Sequence, residues 1–126
     1  MPPRKRDPDT VGPLAEPPCS PVQARRFAEG VAHFEAGRYF EAHEAWEQAW
    51  RLMGDGPEDD AELVLRGLIQ LAAALHAGAR GRTAAAHRNV DKAAHKLALF
   101  PRPFWGWDVA VLLARLPALR GAFPLI

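Results

Sequence analysis

The chain has 126 residues, 48% hydrophobic and 25% charged, and its 16 Lys and Arg against 15 Asp and Glu leave a formal net charge of +1. These are ordinary values for one folded domain, and they argue against a chain built mainly to hold nucleic acid or an anionic membrane. Cys19, the one cysteine, excludes an intrachain disulfide and a cysteine-based zinc cage, and no apolar run reaches the roughly 18 residues that a membrane span needs.

Prolines 2, 3, 8, 13, 17, 18 and 21 crowd the start of the chain. Proline removes backbone donors and biases its predecessor away from the helical region, and few large apolar residues accompany these prolines. Residues 1–20 are therefore expected to form an extended or disordered Pro-rich tail, with a single helical domain over 21–126. Arg4-Lys5-Arg6, flanked by Asp7 and Asp9, reads as a solvated charge run, with contact to an anionic partner as the alternative. The polar opening MPPRKRDPDT has no apolar core behind it, so no signal peptide is expected and the expected location is cytoplasmic.

A first helix is predicted over 22–36, with Ser20 as N-cap, Pro21 in the first turn and Gly37 as the stop. A second follows almost at once over 39–53, which forces an antiparallel hairpin. The Gly, Pro and Asp content of 54–60 marks a loop. The third helix, 60–77, is capped by Asp59 or Asp60 and ended by Gly78; its apolar circumference places it in the middle of a bundle. The fourth, 84–100, is capped by Thr83 and carries a seam of Ala86, Val90, Ala93, Leu97 and Phe100. The fifth runs from an Asp108 cap to just before Pro117. No alternating pattern of useful length predicts a strand, so the expected fold is all-α, a compact four- or five-helix bundle or array.

The chemistry concentrates on the second helix. At about 100° per residue, Tyr39, Ala42, His43, Trp46, Trp50 and Met53 share one face, with Glu47 at its margin, one turn from His43, and Glu44 near the edge. A histidine and a carboxylate enclosed by tryptophans need partners, because desolvating polar groups costs several kcal/mol. Three arrangements satisfy them. Glu47 accepts a hydrogen bond from His43 in a structural or ligand-contacting network; or His43, Glu44 and Glu47 hold a divalent metal; or His43 acts as a general base oriented by Glu47, the two catalytic candidates. Gln70, in line with the small Gly67 and Ala74, is placed to meet His43 or Glu47 if the second helix packs there, or else to bond a backbone carbonyl or water near a helix end. Arg66 reads as a surface ion-pair residue with Glu62, and His76 as a dipole partner or a further metal ligand. On the fourth helix His87, Asp91 and His95 have ligand spacing, but they lie opposite the apolar seam and are expected in solvent. Arg80, Arg82, Arg88, Lys92 and Lys96 form a basic strip without interleaved aromatics, read as a solvated face. Trp105 and Trp107 are expected to fold back over the bundle or to mark a contact surface.

GRYFEAHEAWEQAW (37–50) followed by RGLIQLAAALHAGARGRTAAA (66–86) resembles domain-of-unknown-function family 309, small and mostly prokaryotic helical proteins with an Ala-His-Glu-x-x-Glu-x-x-Trp helix and a Gly-Leu-Ile-Gln helix. The likeness spans about 27–99. It implies an all-α bundle in which Ala42, His43, Glu44, Glu47 and Trp50 face Gly67-Leu68-Ile69-Gln70, and it implies no reaction. The expected ligand-binding residues are thus His43, Glu44, Glu47, Trp50 and Gln70. A polar ligand site between the second and third helices is the leading expectation. The alternatives are a metal-dependent hydrolase on His43, Glu44 and Glu47 and a dimeric interaction module using the aromatic surface. No membrane partner is expected, and nucleic acid is disfavoured.

Overall fold

The computed structural model describes residues 2–123. Helix α1, Pro21–Glu35, opens on a capping box: Gln23 N–H donates to Ser20 Oγ at 3.1 Å and Ser20 N–H donates to Gln23 Oε1 at 3.0 Å. Gly37, at φ 76°, reverses the chain into α2, Tyr39–Arg51, which packs back against α1. The two helices approach closely at Gly30, where an added Cβ would lie 2.2 Å from Trp46 Nε1. Trp46 is sealed beneath α1, and its indole donates to the Phe27 carbonyl at 3.2 Å.

A 3₁₀ turn at Pro57–Asp59 leads into α3, Glu62–Ala79. It starts later than expected and has no side-chain cap, because Asp60 pairs instead with Arg6 at 3.0 Å. Gly78 lies inside the helix, and the left-handed turn falls at Gly81, φ 84°. Packed between α2 and α4, Thr83–Leu97, α3 buries Leu63, Leu65, Leu68, Leu71 and Leu75 completely, which accounts for its nearly all-round apolarity. The α4 seam from Ala86 to Leu97 is buried, and so is Phe100 just beyond the helix.

The segment between α4 and α5 holds a feature that the sequence did not suggest. Strands β1, Pro103–Phe104, and β2, Trp107–Asp108, pair antiparallel across a turn in which Trp105 and Gly106 both have positive φ, 47° and 85°. Two-residue strands are too short to show an alternation. Trp107 packs on Phe34 and Trp46, with ring centroids 5.7 and 5.6 Å away. Helix α5, Val109–Gly121, is capped by Asp108 and continues through Pro117, where a stop was expected. Leu112 and Leu116 are buried before the proline, and Leu119 and Phe123 pack on the core after it; this holds the helix together across the missing hydrogen bond.

Residues 2–20 form no helix or strand and lie along the body as a strap. Leu14 is buried, and Trp105 Nε1–H donates to the Pro17 carbonyl at 3.0 Å. The reading of Arg4-Lys5-Arg6 as solvated fails at Arg6. Its guanidinium is buried, bonded to Asp60 and to the carbonyls of Gly56 and Arg4, oxygens that the 54–60 loop and the strap present together. No helix among the described residues is long and apolar enough to cross a membrane.

Candidate functional site

The strongest polar feature lies beneath the surface where α2, α3 and the strap meet. Glu62 opens α3 with its side chain 0% exposed. Its Oε1 accepts from Arg66 Nε at 2.7 Å and from Trp50 Nε1 at 3.3 Å, and Oε2 accepts from Arg66 Nε at 3.0 Å. Arg66 Nη2 also donates to the Arg6 carbonyl. A carboxylate is stable there because a guanidinium and an indole N–H replace its water. The expectation of a surface pair at Arg66 is therefore corrected, since its partner is wholly buried.

Above this network opens a cleft of about 320 Å³, lined by Lys5, Glu47, Trp50, Arg66, Ile69, Gln70 and Lys96. Lys96 Nζ donates to Gln70 Oε1 at 2.8 Å. Burial, followed by the positive charges of Arg66 and Lys92, holds the Lys96 amine below the usual lysine range, with Glu62 opposing. Glu47 turns to Arg51 at 2.6 Å, and Lys5 Nζ stands 5.9 Å from the Trp50 ring centroid.

Of the residues singled out in the sequence, Glu47, Trp50 and Gln70 line the cleft, whereas His43 and Glu44 do not. Ala45 and Ala49 are buried along with Ala42, Trp46 and Met53, which centres the buried arc of α2 away from His43 and leaves that residue at its edge. His43 Nε2 is 3.7 Å from Glu47 Oε2 and Nδ1 is 3.9 Å from Glu44 Oε1, both beyond hydrogen-bond length, so the expected His43–Glu47 bond is not made. The imidazole packs against Phe40, whose other neighbour is His76. Gln70 bonds to neither His43 nor Glu47. The face carrying Gly67 meets Leu97 and Lys96 of α4, so Gln70 turns to Lys96 and not to α2.

Among the described residues, no three His, Cys, Asp or Glu side chains come together to hold a metal ion. His87, Asp91 and His95 have separate partners. His87 Nε2 meets the Phe123 carbonyl, Asp91 accepts from Arg120 at 3.0 Å, and His95 Nε2 lies 2.8 Å from Asp9. His87 is buried where exposure was expected, because α5 and Phe123 just beyond it close over that end of α4.

Sequence reading missed Glu62, Lys5 and Lys96 as parts of one site. The pairing of Glu62 with Arg66 on the most apolar helix was the available signal, since a charge at that position must be either turned outward or paired. Lys5 had no such signal, as it reaches the cleft only through the path of the strap.

A family model described as Domain of unknown function (DUF309) matches residues 27–89, half of the chain. No curated protein and no solved structure matches it. The matched span holds Glu47, Trp50, Glu62, Arg66 and Gln70, while Lys5 and Lys96 lie outside it.

Proposed function

The chain belongs to the DUF309 family, and from its own geometry we propose that it is a small-molecule-binding protein whose site is the cleft over the Glu62–Arg66–Trp50 network. One observation carries this reading: three side chains expected at a site, Glu47, Trp50 and Gln70, line a single concave surface with Arg66, Ile69, Lys96 and Lys5. A volume of about 320 Å³ falls at the small end of ligand pockets, and an indole, an isoleucine and several fixed polar groups are the usual lining of one. The buried carboxylate below it fixes the Arg66 guanidinium and the Trp50 ring, so part of the site is held in place before a ligand arrives.

A screen of small organic fragments by amide and side-chain NMR tests the proposal. Binders should shift the Trp50 indole N–H and the Gln70 carboxamide. Fragments that collect instead around Phe27 and Trp105 would remove the basis for it.

The second reading is an interaction module. A groove of about 590 Å³ on the outer face of α1, lined by Ala24, Phe27, Ala28, Val31, Trp105 and Trp107, supports a contact with a second copy of the chain. Sedimentation across a concentration series tests it, with a dimer that Val31→Lys disperses as the expected result. A metal-dependent hydrolase on His43, Glu44 and Glu47 has less support, since among the described residues no third ligand joins any two of them at metal-binding geometry.

A further inference from the structure

We infer that the ligand of this cleft is a small organic anion with a flat apolar body, its charged group seated beside Lys96 and Arg66 and its body against Trp50 and Ile69; the inference rests on the binding reading above. The charges around the cleft do not cancel. Glu62 is committed to Arg66 and Glu47 to Arg51. Among the described residues, neither Lys5 nor Lys96 has a carboxylate within ion-pair distance. Two unpaired ammonium groups therefore face one small cavity whose lining carboxylate, Glu47, is turned to Arg51.

Lys96 shows the consequence most clearly. Its one hydrogen bond goes to the neutral Gln70 amide, and Arg66 and Lys92 press on it as like charges. An anion placed there would relieve that repulsion and accept from the ammonium protons that Gln70 leaves free. Such charge-assisted bonds are about twice as strong as neutral ones. Two side chains limit the shape of the rest of the ligand. The Trp50 N–H is spent on Glu62, so its ring offers only apolar and π surface to the cleft. Ile69 adds an aliphatic wall. A planar body suits this pair, and the volume admits roughly a single ring with its substituent.

Benzoate and its neutral isostere benzamide are the probes, titrated into the full-length protein and followed by NMR. The expected result is that benzoate shifts the Trp50 indole and the Lys96 ε-methylene signals and binds about tenfold more tightly than benzamide, a difference of about 1.4 kcal/mol. Lys96→Met keeps the aliphatic stem and should abolish that preference, whereas Lys92→Met, one turn away and outside the cleft lining, should keep it. Equal affinity of the two probes at the cleft overturns the anion assignment and leaves the binding reading intact. Failure of both probes to shift any cleft residue overturns both. A benzoate preference that survives Lys96→Met also overturns the assignment, because the charge selecting the anion would then lie elsewhere.

Discussion

Glu62 ties two helices together from a fully buried position. It bonds to Arg66 one turn along α3 and reaches α2 through the Trp50 indole. In Glu62→Ala the Arg66 guanidinium, itself mostly covered, keeps its desolvation cost and loses its carboxylate. Removing one partner of a buried pair costs about 3–5 kcal/mol, and the lower end is expected here because Arg66 retains some contact with water. Glu47→Ala should cost less than about 1 kcal/mol, since its pairing with Arg51 is half-exposed and surface pairs contribute little. Urea denaturation of both variants checks the order, and equal losses would mean that the Glu62–Arg66 pair is no more shielded from water than the Glu47–Arg51 pair. Sequence alone suggests the opposite ranking, because it pairs Glu47, at the margin of the apolar face, with His43 and leaves the Glu62–Arg66 pair on the surface. Lys96 gives the pH dependence. Its folded-state pKa lies below that of the unfolded chain, where lysine titrates near about 10.4, so between the two values the unfolded state binds more protons. Stability relative to Lys96→Met should therefore rise as the pH climbs through that alkaline window and stay flat below it, which paired denaturation curves at several pH values would reveal.

At the scale of the element, the α1–α2 contact depends on a residue with no side chain. Gly30 sits under the Trp46 indole, where a methyl group would overlap the ring nitrogen at 2.2 Å. Trp46 cannot retreat easily, because Phe34 and Trp107 pack on it and its N–H is bonded to Phe27. Gly30→Ala gains about 1 kcal/mol of helix propensity but forces this overlap, and overpacking of cores costs about 1–3 kcal/mol. A net loss is expected, together with a change in the near-ultraviolet circular dichroism of the tryptophans; a more stable variant would mean that the helices separate readily. The glycine was visible in the sequence but its reason was not, since a lone glycine in a helical pattern looks the same whether it packs or merely weakens. The helices themselves were legible because apolar periodicity, the start at Ser20–Pro21 and the stop at Gly37 act locally. The errors, at the start of α3, inside α5 and in the β1–β2 ribbon, lie where distant residues decide. Asp60 is taken by Arg6, and α5 crosses Pro117 on the strength of its packing.

At the scale of the molecule, the strap links fold and site. Composition predicts a chain too poor in apolar residues to order itself, and as an isolated segment it would be. What holds it, besides the burial of Leu14 in the core, is a set of polar anchors supplied by the body. Arg6 binds Asp60 and the Gly56 carbonyl, Arg66 holds the Arg6 carbonyl, His95 meets Asp9, and Trp105 donates to the Glu16 carboxylate and the Pro17 carbonyl. Arg6 is the buried charged residue of the strap and lies next to Lys5, which lines the cleft. Arg6→Ala leaves Asp60 and the Gly56 carbonyl unpaired, at a cost of about 1–3 kcal/mol. Because the strap has few apolar contacts of its own near that end, the loss should fall on the segment more than on the helices. The expected outcome is faster proteolytic cleavage within residues 4–12, a shifted Trp50 indole signal as Lys5 leaves its ring, and helical circular dichroism close to that of the parent. Unchanged cleavage with unchanged Trp50 would mean that the strap is held from Leu14 onward, and that Lys5 reaches the cleft without help from its neighbour.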